Sequence, residues 1–297
     1  MQVVDLGRDA LDEARALLTE ACRFDAAGVV AEEKLFGATP PPFRSATLGV
    51  RLDGRLAGVA VASGRWLRLL AVHPDQRGRG AGTALLDEAA ARARAWGATR
   101  LRSGDQPGNY LAPGIDARDA GTVAFLERRG FREVARNHNL AVPLVDNEHV
   151  TTARAEAQAE AAAARGYRVR RAASADEAAI LAVATRSFGA VWAFELGLAL
   201  ANRPPTAHVA FAAGAPVAFA CCDANNRGLG WFGPAGTLPE HRGHGLGQAL
   251  LIPCLLDAAA AGHRATEIAW IGPRRFYENA AGAGDGRDFV VLEKELV

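Results

Sequence analysis

Two thirteen-residue stretches carry the clearest chemistry in this chain: PDQRGRGAGTALL from Pro74 to Leu86, and PEHRGHGLGQALL from Pro239 to Leu251. Each sets an Arg and a run of closely spaced Gly directly after an extended, β-like segment and directly before a Leu-Leu helix. The opening amides of a helix have no internal acceptors and carry the positive end of its dipole, so such a junction binds anions. Glycines let phosphate oxygens approach those amides with no Cβ in the way. Arg77 and Arg242 add a cationic side chain. The chemistry implied is the gripping of a phosphate or diphosphate.

Spacing narrows the reading. A dinucleotide fingerprint requires Gly-x-Gly-x-x-Gly, but Gly78-x-Gly80 is followed three residues on by Thr83, and Gly243-x-Gly245 by Gln248. A Walker loop requires Gly-Lys-Ser/Thr, and neither stretch holds a Lys. What recurs is Arg-x-x-Gly-x-Gly, as Arg77, Gly80, Gly82 and again as Arg242, Gly245, Gly247. The anion-binding positions are then Arg77, Gly78, Arg79, Gly80, Ala81, Gly82 and Thr83 in the first loop. In the second they are Arg242, Gly243, His244, Gly245, Leu246, Gly247 and Gln248. His241 and His244 flank Arg242, but no third or fourth ligand follows at a recognisable spacing, so no metal is expected.

The elements that must position these loops repeat in the same order. In the first half a short strand (Gln2 to Leu6) leads into helices over Asp9 to Cys22 and Val29 to Phe36. Three β-like runs follow, Ala46 to Arg51, Arg55 to Ser63 and Trp66 to Val72, separated by DG and SG turn signals. After the loop come a helix (Gly82 to Trp96), a strand (Thr99 to Ser103), a helix (Asp119 to Arg129) and a strand (Glu133 to Leu144). The second half reads strand Tyr167 to Arg171, helices over Asp176 to Leu200, and strands His208 to Ala212, Pro216 to Cys222 and Leu229 to Leu238. Helix Leu246 to Ala261, strand Thr266 to Ile271, helix Arg274 to Ala280 and strand Asp288 to Leu296 close it. Thr151 to Gly166, rich in Ala, Glu, Arg and Gln, favours a partly exposed helical connector. The expected domains are residues 1–148, a connector 149–166 and residues 167–297.

Bulk composition agrees with a two-domain globular chain: 297 residues, 49% of them hydrophobic. With 34 basic against 33 acidic side chains there is no strong single-sign field, which argues against a nucleic-acid or membrane partner and towards a small molecule. Cys22, Cys221, Cys222 and Cys254 form no CxxC pair and read as buried thiols. The first residues lack the basic start and continuous apolar core of a signal peptide, and no stretch approaches the ~20 apolar residues of a membrane span. A cytoplasmic location is expected.

The paired loops, each with its flanking strand and helix, resemble the acyl-CoA loop of the GCN5-related N-acetyltransferases (GNAT), whose amides hold the CoA pyrophosphate. Second motifs support the resemblance: AFLERRGF (Ala124 to Phe131) and RFYENAAGA (Arg275 to Ala283) resemble the family's helix beyond the loop. Both halves are covered, and the chain looks like a bacterial tandem member. The resemblance implies an α/β (α+β) fold of two tandem domains, each a mixed, mainly antiparallel sheet flanked by helices. It implies acetyl-CoA as co-substrate, a primary amine of a small molecule as acceptor, and direct attack of that amine on the thioester.

The halves differ where the family places its general acid. Tyr277 occupies that position in the second half, and Leu126, with no proton to give, in the first. A phenol of pKa near ~10 can protonate a leaving thiolate, an effect of roughly 10²–10⁴ in rate. Catalysis is therefore expected in the second half, the first being degenerate. The strand segment around Leu238 is a candidate source of an amide donor for the thioester carbonyl. The first half carries an extra Gly- and Pro-rich segment, Gly104 to Ala117, whose Tyr110 is a weak candidate replacement phenol. The base stays open among Glu240, Glu267, Asp223, His208, Glu195 and water. An acyl-CoA sensor without turnover and a protein acetyltransferase are the competing readings.

Overall fold

The computed structural model describes residues 1–296. In chain order the elements are β1 (Val3–Asp5), α1 (Leu11–Ala21), α2 (Ala31–Phe36), β2 (Ser45–Leu52), β3 (Arg55–Ser63), β4 (Trp66–Val72), α3 (Ala81–Ala95), β5 (Arg100–Ser103), β6 (Ile115–Asp116), α4 (Ala120–Glu127) and β7 (Arg132–Pro143). Then follow α5 (Thr152–Ala163), β8 (Tyr167–Arg171), α6 (Glu177–Phe188), α7 (Ala190–Ala201), β9 (Ala207–Ala212), β10 (Ala215–Cys222), β11 (Phe232–Thr237), α8 (Leu246–Ala260), β12 (Ala265–Ile268), α9 (Arg274–Ala281) and β13 (Gly284–Glu295). Among the described residues no helix is long and apolar enough to cross a membrane.

The chain forms two compact units, residues 1–138 with 288–297, and residues 139–287. The final strand thus completes the first unit, while residues 139–143 of β7 belong to the second. Each unit is a mixed sheet in which all pairings but one are antiparallel. In the first the order is β1-β2-β3-β4-β5-β13, with β6 beside β13, and β4–β5 is the parallel pair. In the second it is β7-β12-β11-β10-β9-β8, and β11–β12 is parallel. The exchange of end strands was invisible in the sequence, because an apolar strand such as Phe289 to Leu292 carries no mark of which sheet edge it will join.

Helix period and burial agree. α3 buries Ala81, Leu85, Leu86, Ala89 and Ala93, one stripe against β2 to β4, and Gly97 (φ +86°) follows its end in the left-handed conformation. α8 is buried nearly all round, through Leu246, Leu250, Leu251, Ile252, Cys254 and Leu255, because the sheet covers one side and α5 packs on the other. The connector is therefore part of the second unit's framework. Each sheet is covered on both faces. In the second unit, alternate residues of β9 and β10 go to a core with α8 and α9 (Ala210, Val217, Ala220) and to a core with α6 and α7 (Val209, Phe219, Cys221).

Candidate active site

In both units the strand before the glycine loop pairs with the end of the strand after the loop helix through its first residues only, and then parts from it. β4 meets β5 at Trp66 and Leu67 alone, and β11 meets β12 at Phe232 alone. The rest of β4 and β11 borders an open splay. At equivalent places, Arg68 in β4 and Gly233–Pro234 in β11, the register with the preceding strand slips by one residue. Such bulges twist a strand and re-aim its groups.

The loops themselves match. Gly80 (φ +92°) and Gly245 (φ +80°) are the N-caps of α3 and α8 in the left-handed conformation, which a residue with a Cβ adopts only at a cost. Backbone N–H groups of residues 78–82 and 243–247 have no acceptor among the described residues, so each loop offers a nest of amides at a helix N-terminus. At Gly82 and Gly247 an added Cβ would lie 3.3 and 3.2 Å from the rings of Phe125 and Phe276, so the absence of a side chain lets α4 and α9 close against the loop helices. Arg77 Nε donates to the Val72 carbonyl and Arg242 Nε to the Thr237 carbonyl, both at 3.2 Å, tying each loop to the last residue of its strand. A second arginine reaches each loop from a different element. In the first unit Arg129 lies over the Phe125 ring at 3.7 Å and donates to Thr83 Oγ1 at 2.5 Å. In the second, Arg165 Nη1 donates to the His244 carbonyl at 2.8 Å. His241, for its part, meets the Tyr167 hydroxyl at 3.1 Å.

A cleft of about 790 Å³ opens in the first unit, lined by β4, the loop, α4 and the residues after α1. This is the size of a cofactor pocket. Leu126 lines it at the position where the second unit has Tyr277. Cys22 lines it too, with its thiol pushed up to about 12 by burial and by Asp25 and Asp119, so it stays protonated and unreactive. Tyr110 is buried within the extra segment and is not among the cleft-lining residues.

At the bulge of β4 a network of polar side chains fills the space between that strand, α2 and the extra segment. Arg68, 2% exposed, donates to Gln106 Oε1 (2.7 Å), the Lys34 carbonyl (3.1 Å), Thr39 Oγ1 (2.9 Å) and Ser63 Oγ (3.3 Å). Burial lowers its pKa to about 10, which still leaves it cationic at neutral pH. Lys34, fully buried, holds Glu33 at 2.7 Å and Asn109 at 3.1 Å. Gln106 and Asn109 come from the extra segment, which is folded inward rather than forming an exposed edge.

In the second unit Tyr277 packs edge-to-face on Phe232, centroids 6.1 Å apart, and on Phe276 at 5.0 Å. Phe232 is the residue at which β11 parts from β12, so the phenol stands at the throat of the splay. Burial raises its pKa above the ordinary tyrosine value, keeping the proton on. The Leu238 amide is not available to a thioester, because it donates to the Val217 carbonyl at 2.9 Å. Alternation along an antiparallel strand turns the neighbouring Thr237 N–H the other way, towards the splay. Of the carboxylates and imidazoles weighed as bases, His208 bonds Asp257 (2.8 Å) and Asp223 accepts from the Gly230 amide (2.7 Å). Glu267 accepts from Asn139 (2.7 Å) and pairs with Arg287 (3.2 Å). Glu195 is buried on α7, and Glu240 is exposed beside the loop.

Parallel strands that part beside an amide-rich glycine loop are present twice, once in each unit. Residues 13–131 and 162–282 each match the Acetyltransferase (GNAT) family model, and the chain belongs to that family. No curated protein matches its sequence significantly. Among solved structures it is similar to the tandem GNAT protein from the clavulanic acid biosynthesis pathway (19% identity, TM-score 0.71, covering 100% of this chain and 98% of that one). It is also similar to a GCN5-related N-acetyltransferase from Sphaerobacter thermophilus (19% identity, TM-score 0.66, 99% and 95%). A third is the GCN5-related glucosamine N-acetyltransferase region of a fungal multi-domain GH3 β-N-acetylglucosaminidase (19% identity, TM-score 0.77). This chain covers 98% of itself but 38% of the fungal chain in that match. At such identities the likeness is one of fold.

Proposed function

We propose that the second unit transfers an acetyl group from acetyl-CoA to a primary amine of a small molecule, and that the first unit holds CoA without turning it over. The observation that carries this reading is the position of Tyr277, a half-buried phenol at the throat of the splay, against Leu126 in the corresponding place. Amides 243–247 and Arg242 would receive the diphosphate, and the pantetheine arm would run along β11. The Thr237 N–H would donate to the thioester oxygen as negative charge grows on it, a contribution that such preorganised donors commonly make. The amine nitrogen bonds to the carbonyl carbon, the C–S bond breaks, and Tyr277 gives its proton to the departing thiolate. The attacking nitrogen loses its proton to water or to a carboxylate.

In the first unit the amide nest, Arg77 and Arg129 support diphosphate binding, while Arg68, Lys34 and Gln106 leave an acceptor no space. All four cysteines are free thiols, which fits a reducing compartment and a cytoplasmic protein. Release of free CoA from acetyl-CoA, followed with a panel of primary amines, tests the reading. Turnover with at least one amine is expected. Tight acetyl-CoA binding with no turnover on any amine would favour the acyl-CoA sensor instead.

A further inference from the structure

The acceptor must approach the second unit's splay from the α6–α7 side, because α8, α9 and Tyr277 occupy the opposite face of the sheet. That side is aromatic. Phe188, at the end of α6, lies directly on β11: a Cβ on Gly236 would meet its ring at 2.7 Å, so the missing side chain makes room for it. Trp192, one turn into α7, stacks on Phe188 with centroids 5.4 Å apart and planes 3° apart. Phe219 of β10 closes both from below, at 5.3 and 6.3 Å with near-perpendicular rings.

Phe219 is 3% exposed, but Trp192 is 37% exposed, and its indole N–H has no partner among the described residues. Buried Trp side chains ordinarily find a partner for that donor, and an indole left half in water beside a reaction cleft is suited to a ligand. An aromatic platform beside β11 matches an amine attached to a flat apolar body, with the ring face also attracting its cationic head.

Resting on the transferase reading above, we infer that the acceptor of the second unit is a primary amine carried on an aromatic body, whose ring lies on Trp192 and whose nitrogen reaches the splay between β11 and β12. The test uses 2-phenylethylamine and glucosamine as probes, with acetyl-CoA. The expected result is a kcat/KM for 2-phenylethylamine at least about tenfold above that for glucosamine. Trp192→Ala should raise the KM for 2-phenylethylamine about tenfold, with the acetyl-CoA KM unchanged, and Trp192→Phe should restore most of it.

Equal efficiency with both probes, a preference for glucosamine, or a KM indifferent to Trp192→Ala would overturn the inference. Calorimetry of 2-phenylethylamine on CoA-saturated protein separates this from failure of the transferase reading. Binding that Trp192→Ala abolishes, without turnover, would keep the acceptor class and remove the reaction. Absence of Trp192-dependent binding would remove the acceptor class.

Discussion

The two clefts of this chain share a loop and differ at its two ends. Each has a left-handed glycine N-cap, five open amides, an arginine tied to the last strand carbonyl and an aromatic ring packed on the third glycine. Beyond that, one has Leu126 and a bulge filled by Arg68, the other Tyr277 and a bulge of Gly233–Pro234. If the proposed function holds, phosphate gripping and chemistry are separable within this fold. The first depends on backbone, which tolerates drift in the side chains. On the proposed reading the second depends on one phenol, which only the second unit has.

The largest effects should come from disabling one loop at a time. Gly245→Val places a β-branched residue at φ +80°, a conformation costing about 1–3 kcal/mol, and moves the amides it was meant to hold. Titration calorimetry should then show one CoA site per chain instead of two, with turnover abolished. Gly80→Val should likewise leave one site but preserve turnover. Loss of turnover from both variants, or from Gly80→Val alone, would break the asymmetry.

A smaller, sharper effect concerns pH. Because burial holds the Tyr277 phenol above the usual ~10, ionisation removes the acid only as pH rises beyond that value, so kcat should stay level through neutral pH and fall above pH ~10. Tyr277→Phe should remove that alkaline limb from whatever rate is left. A limb centred well below 10 would mean another group is being read.

Smaller still are changes made in the first unit. Adding a phenol there by Leu126→Tyr, in the Tyr277→Phe background, should leave the rate within about twofold, since the acceptor face remains closed. Gln106→Ala deprives the buried Arg68 Nε of its acceptor and should weaken the first unit by about 1–3 kcal/mol in chemical unfolding, with CoA binding retained.

Much of this was legible in the residues. Alternating and helical periods gave the order of elements, and the repeated Arg-x-x-Gly-x-Gly gave both loops, because glycine at a left-handed N-cap is a local requirement that the chain must write out. The phenol asymmetry was a matter of one letter. Long-range pairing was not legible. Nothing in Phe289 to Leu292 says that this strand joins β5 and β6, and nothing in GDQPGNYLAPG says that it folds inward to hold Arg68. Which way the amide of Leu238 points was likewise hidden, since the bulge at Gly233–Pro234 is set by pairing with β10 and not by local propensity.

The claim on which the comparison turns is that Tyr277 protonates the departing thiolate. Steady-state CoA release by Tyr277→Phe tests it most directly: kcat should fall by about 10²-fold or more while the Kd for acetyl-CoA stays that of the unaltered protein. A kcat equal to that of the unaltered protein would contradict it.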